Sequence, residues 1–363
     1  APGARPAVVA GDAAADAFAR PFTGRLSVGP VAVVPADEAG GQSDLAAAGV
    51  VAVAIGAGAD DPWRFAAVAR AVGSALWTSS GVGVELHARF GLRPRVPLLP
   101  AVGGERGWSL GWREIVAPFG AWLPEIFADA TGTLALGPAY VTAMIEELAP
   151  PQGESAIARV ALSDESGTAF GPHPPDDLRV WLACRQLEQG HPAEARDLWS
   201  DWARRAGEAD AYALPCADGG IVSVDPEPLR ETGERLVSAI VDEPRAAFGG
   251  LALAGIPGLA FGAHEQAQAR RTAEVFLRGV TPAGADPRIA LAGAILASRA
   301  RPELAARIAA ALLRALGGDT QAHRRAAPAA PSAGPARPRP LVGPIDLSPR
   351  ALREAIILQA ILR

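Results

Sequence analysis

The 363-residue sequence contains no lysine and no asparagine, so arginine supplies all 34 of its basic side chains other than histidine. Both missing residues have codons that begin AA, and a very GC-rich genome accounts for their absence. Without lysine there is no Schiff-base nucleophile, and without asparagine there is no acceptor for N-linked glycans. Cysteine is almost absent too. Cys184 and Cys216 are too few for a disulfide scaffold, and neither belongs to a CxxC pair. Long apolar runs are missing: the two longest, around Val50 and from Phe248 to Phe261, are short and glycine-broken, below the about 20 residues that span a bilayer. No transmembrane segment is therefore expected. No basic n-region followed by an apolar h-region opens the sequence, so no secretory signal is read and a reducing, cytoplasmic location is expected. The formal charge is −5 and no dense basic stripe stands out, which argues against nucleic acid as a partner.

What the sequence does have is alanine, short β-branched runs and helix signals. Val50 to Ile55 is a continuous, mostly β-branched run that suits a strand covered on both faces. Gly56 and Gly58 permit a tight turn after it. Asp60 and Asp61 before Pro62 make a helix start, and Phe65, Ala66, Val68, Ala69, Val72 and Leu76 recur at helical spacing. Ala7 to Ala10 and Val28 to Val34 are further strand candidates, each followed by a helical stretch. This alternation predicts a parallel sheet with right-handed crossovers, including 50–55 flanked by 30–34 and 7–10.

Val82 to Leu86 and Arg95 to Leu99 also fit short strands, while 139–148 has helical spacing and ends at Pro150 and Pro151. From Pro174 the character becomes helical. Two helices around Gly190 and His191 form a hairpin that resembles a single tetratricopeptide unit in its glycine turn, Ala195 and Trp199, without the stacked neighbours such repeats need. A β-hairpin over 211–224 turns at Asp218-Gly219, and helices are expected at 227–242, 263–279, 286–299 and 302–317.

The expected fold is thus α/β and Rossmann-like: a parallel-sheet domain over 1–165, a mainly helical domain with a β-hairpin over 166–318, a Pro/Ala/Arg-rich linker over 319–346 and a tethered helix over 347–363. Residues 322–344 have almost nothing to bury and read as an extended linker. Leu347-Ser348-Pro349 then starts a helix carrying Leu352, Ile356, Ile357, Leu358, Ile361 and Leu362. That helix is the expected contact with a protein partner.

Three motifs touch chemistry. Gly107-Trp108-Ser109-Leu110-Gly111 matches G-x-S-x-G, but a nucleophile elbow needs a strand directly before the serine, and Gly103 to Arg106 read as loop. Ser109 is expected not to be a nucleophile. Gly56-Ala57-Gly58 after a strand is half a dinucleotide fingerprint. Its third glycine is replaced by Asp61, and two carboxylates would face an incoming pyrophosphate. Gly56, Gly58 and Asp12 are the candidate cofactor-binding residues, provided they meet around one crevice. Glu85 and His87 would share one face of a strand, without a third ligand nearby, so no metal site is read. Cys184 reads as a core thiol, Cys216 sits by a hairpin turn with no nearby cation, and Trp108, Trp112 and Trp122 read as core or as the wall of a cleft.

Two functional readings follow. One is a non-catalytic subunit or adaptor that contacts partners through the helical domain and residues 347–363. The other is an enzyme or cofactor-binding protein with its site at the carboxyl ends of the parallel strands.

Overall fold

The computed structural model describes residues 4–22, 31–35, 51–55, 61–99, 112–150, 163 and 166–326. Its first element is helix α1 (Ala4–Ala19), which buries Ala10, Ala14, Ala17 and Phe18 along one stripe. Strands β1 (Val31–Pro35) and β2 (Val51–Ile55) pair in parallel, Val31 opposite Val51 and Pro35 opposite Ile55. Then come α2 (Ala66–Ser79), α3 (Val82–Phe90), the short α4 (Trp112–Val116), α5 (Phe119–Leu136) and α6 (Pro138–Leu148). Helices α7 (Asp176–Leu187) and α8 (Pro192–Ala206) form a helical hairpin. Strands β3 (Tyr212–Pro215) and β4 (Ile221–Val224) pair antiparallel across the Asp218-Gly219 turn, where Gly219 has φ +81°. Helices α9 (Pro226–Asp242), α10 (Ala263–Leu277), α11 (Pro287–Ala300) and α12 (Ala305–Ala326) complete the described chain. Helix α12 runs on through the first residues of the stretch read as linker.

The expected parallel-sheet α/β domain, and the Rossmann-like reading with it, is overturned. The fold is mainly helical, with 67% of the described residues in helices. Residues 7–10 lie inside α1, because a run of four apolar residues fits a strand or one turn of a buried helix, and here the 3.6-residue period continues to Phe18. Residues 82–86 belong to α3, started by Gly81 and stopped by Gly91, both in the left-handed conformation. The only strand partners of β1 and β2 among the described residues are each other, and a two-stranded ribbon does not make a doubly wound sheet. The expected strand at 95–99 amounts to isolated bridges, Pro97 to Ala169 and Leu99 to Cys216. Among the described residues no helix is long and apolar enough to cross a membrane.

The organising element is α5. It is apolar on nearly every side, the mark of a helix with neighbours all round. Helices α2, α6, α7 and α9 pack against it. Helix α2 approaches most closely at Gly73, where a Cβ would stand 2.9 Å from the Ala128 Cα. The carbonyls at the end of α5, which no helical N–H can reach, find donors elsewhere: the Phe261 N–H reaches Leu134 O at 2.8 Å and Arg288 Nε reaches Ala135 O at 3.0 Å. Helix α1 rests on α11 and α12 as well as on α2. One continuous core cluster therefore runs from Ala10 to Leu316.

Candidate functional site

Helix α5 breaks its apolar surface at Glu125 and Asp129, four residues apart and so on one face. Each side chain is less than a tenth exposed. Two carboxylates at that spacing and depth repel each other and lose their water, so the face requires cations. Arg70 from α2 and Arg179 from α7 provide them. Arg179 donates through Nε to Asp129 Oδ2 at 2.8 Å and through Nη2 to Asp129 Oδ1 at 3.0 Å, and its Nη2 stands 2.9 Å from Glu125 Oε1. Arg70 pairs with Glu125 and keeps its Nε 3.9 Å from Asp129 Oδ1. Tyr140 of α6 donates its hydroxyl to Asp129 Oδ1 at 2.8 Å. From the surface, His173 brings Nδ1 to 3.5 Å from Glu125 Oε2.

Burial alone would raise the Glu125 carboxyl. The hydrogen bond from His173 and the charges of Arg179 and Arg70 outweigh it and hold the group at about 2. Burial would likewise lower the Arg179 guanidinium, but Asp129 and then Glu125 keep it above its ordinary value. The Tyr140 phenol is pushed well up, by burial first and by the Asp129 charge second. At neutral pH Glu125 is thus a weak base, and Arg179 and Tyr140 hold their protons. Two guanidinium charges balance two carboxylates. The adjoining cavity, bounded by Ile126, Asp129, Arg179 and Gln186, is only about 10 Å3, room for about one water. The chemistry this arrangement supports is a neutral clamp joining α2, α5, α6 and α7.

A second network ties α7 to α8, to the β-hairpin and to α9. Asp177 accepts from Trp202 Nε1 at 3.0 Å, from the Tyr212 hydroxyl at 2.6 Å and from Arg230 Nη2 at 3.0 Å. The Arg230 guanidinium also lies over the rings of Trp181 and Trp199, 5.8 and 5.3 Å from their centroids, in cation–π contact. Burial, then Asp177, raises the Tyr212 phenol.

Of the candidate cofactor-binding residues, Gly56 and Gly58 lie outside the described residues, as does Ser109. Asp12 sits in the middle of α1, half-buried and engaged with a partner, not in a turn after a strand. Glu85 and His87 are on α3 and hold backbone. Glu85 accepts from the N–H groups of Ala246 and Ala247, both at 3.1 Å, and His87 Nε2 stands 2.9 Å from Gly120 O. Trp122 is core, fully buried against Phe119 and Phe170. Among the described residues no group of three His, Cys, Asp or Glu side chains is placed to hold a metal.

Cys184 and Cys216 are both buried and unpaired. Burial, with Glu188 adding to it, pushes the Cys184 thiol up to about 12. Burial and then Asp218 raise Cys216. Since the thiolate is the reactive form, both thiols should resist an aromatic disulfide reagent in the native protein and react fully in denaturant. Rapid labelling of either before unfolding would contradict this placement.

The residues that build these networks, Arg70, Glu125, Asp129, Tyr140, Arg179, Asp177 and Arg230, belong to no sequence motif. One signal was present: two carboxylates at an i, i+4 spacing inside the apolar stretch 119–136. Carboxylates so placed must find buried cations. Which arginines answer is a property of the fold. Comparison with known proteins adds no relative, since no family model, no curated protein and no solved structure matches the chain.

Proposed function

We propose that this chain is a non-catalytic subunit or adaptor of a larger protein assembly, working in the cytoplasm and recruiting a partner through residues 347–363. The observation that carries the reading is the pattern of that segment. Leu352, Ile356, Ile357, Leu358, Ile361 and Leu362 crowd eleven positions behind a long Pro/Ala/Arg stretch. Each leucine or isoleucine fully buried gains about 1.5–3 kcal/mol, against about 1–2 kcal/mol of backbone entropy for each residue ordered. Six such side chains seated together on a partner offset much of the entropy of ordering a short helix. A tether of this composition raises the effective concentration of the helix near whatever the body holds. The body supports the same reading, because its buried ionisable groups are spent on joining helices.

The test is a native mass measurement on the protein from its source, set beside the Ile357→Asp, Leu358→Asp double variant. The expected result is a stoichiometric complex with the natural chain, its loss with the variant, and the same thermal unfolding for both. A large fall in Tm with partners unchanged would show that the segment packs on its own body, and the recruitment reading would be wrong.

A further inference from the structure

The end of α10 and the start of α12 enclose a groove of about 250 Å3. Its apolar walls are Phe276 and Leu277 from α10 and Leu304 and Ile308 beside and on α12. Phe276 and Ile308 are buried and form its floor. Val280, in the loop that leaves α10, adds an apolar edge that is 54% exposed. Two cations line the opening, Arg307 and Arg314, both exposed. They stand seven residues apart on α12, hence on one face and about 10 Å apart along the axis. Arg314 donates to the Thr281 hydroxyl at 3.3 Å. Among the described residues neither arginine has a carboxylate partner, although Glu303 and Glu274 nearby pair with Arg301 and Arg278.

We infer that this groove is a docking site for an acidic amphipathic helix of a protein partner. The half-buried Leu277 and Leu304 beside the two arginines select against a polyanion that offers only charge. The volume lies below the about 300–1,000 Å3 of small-molecule pockets and suits the side chains of a helix laid along a groove. A helix carrying Glu or Asp at i and i+7, with Leu, Ile or Phe at i+3 and i+4, sets its acids at the spacing of Arg307 and Arg314 and its apolar side chains against Leu277 and Leu304. The chain's own segment 347–363 has the wrong sign for this place: Arg350, Arg353 and Arg363 against the single acid Glu354. The inference goes beyond the recruitment reading and does not depend on it, so an adaptor built this way has two separate faces.

A displayed library of 16-residue helices tests it, with Leu, Ile and Phe allowed at the central positions and Glu, Asp, Lys, Arg and Ala at the two flanking ones. Selection is run on the full chain and on the Arg307→Glu, Arg314→Glu variant, both sites being exposed and tolerant of change. The natural chain should enrich helices with acids seven apart, and the variant should enrich helices with basic residues there. Peptides from the first selection should lose at least tenfold in affinity on the variant by fluorescence anisotropy, and should weaken as salt rises. No enrichment, the same peptides from both proteins, or binding insensitive to the charge reversal would overturn the assignment. So would tighter binding of a single-stranded oligonucleotide at the same arginines. Two further outcomes give the groove to another occupant and also overturn it: concentration-dependent self-association abolished by the charge reversal, or a high-yield disulfide between Ala310→Cys and Gln359→Cys within one chain.

Discussion

Replacing Arg179 by alanine is expected to remove about 3–5 kcal/mol of stability, the cost of leaving a buried charge without its partner. Arg179 is 8% exposed and makes three contacts to the two carboxylates of α5. Removing it leaves Arg70 alone to face Glu125 and Asp129, and opens a void where the side chain lay. The desolvation already suffered by the carboxylates is not recovered. Chemical denaturation followed by far-UV circular dichroism measures the loss. A drop below about 1 kcal/mol, the scale of an exposed pair, would show that the network is wetter than the geometry implies. A triple change of Arg179→Leu, Asp129→Leu and Tyr140→Phe should cost less than Arg179→Ala alone. It removes charge, counter-charge and the hydroxyl that depends on them together, and leaves Glu125 to Arg70 and His173.

The same substitution carries a pH signature whose sign follows from Glu125. Its folded value is held at about 2, below the ordinary 4.5. A carboxyl depressed on folding contributes stability that is fully present above its unfolded value and is lost as pH falls through the folded one. The natural protein should therefore lose this contribution between about pH 4.5 and pH 2. Without Arg179 one cause of the depression is gone and the folded value rises. The gap between the two proteins should be widest at neutral pH and should narrow on acidification through that window. A gap constant down to pH 2 would mean that Arg179 acts through packing alone.

The failure at the N-terminal half has a physical cause. Alanine- and valine-rich runs such as 7–10 and 82–86 satisfy strand and helix patterns equally over four or five residues, and only a longer period separates them. Helix α5 escaped for the opposite reason: a helix buried on every side has no polar face, so no period shows, and Pro124 inside it reads as a breaker. Where one face meets water the helical period is visible in the sequence. Helices α9, α10 and α11 fall within two residues of where their amphipathic patterns start and stop. Asp225 and Asp286 cap two of them, accepting from the N–H groups of Glu227 and Arg288, with prolines at the first helical position. The buried clamp was legible only in half. Glu125 and Asp129 announce that cations must come, but Arg70 and Arg179 lie 55 and 54 positions from Glu125 on either side. No local rule selects them from 34 arginines.

Pro124 has a consequence that couples two distant residues. Proline lacks the N–H that would close the helical bond to Gly120 O, so that carbonyl needs another donor. His87 is the donor at hand, its Nε2 2.9 Å from Gly120 O and its ring set edge-on against Trp77 at 5.6 Å. Its Nδ1 lies 2.7 Å from Gly83 O. Gly83 has a helical donor in the His87 main chain and Gly120 has none, which places the ring proton on Nε2. His87→Ala should cost about 1–3 kcal/mol, the price of a carbonyl stripped of its partner. Pro124→Ala restores the missing N–H, so in that background the same histidine change should cost at least about 0.5 kcal/mol less, the lower end of couplings between residues that share one partner. The Trp77 contact is lost in both backgrounds and cancels from the cycle. Four proteins and one denaturation series measure it. If the two changes add within about 0.3–0.5 kcal/mol, Gly120 O is served by water and His87 holds α3 to α5 by its ring packing instead.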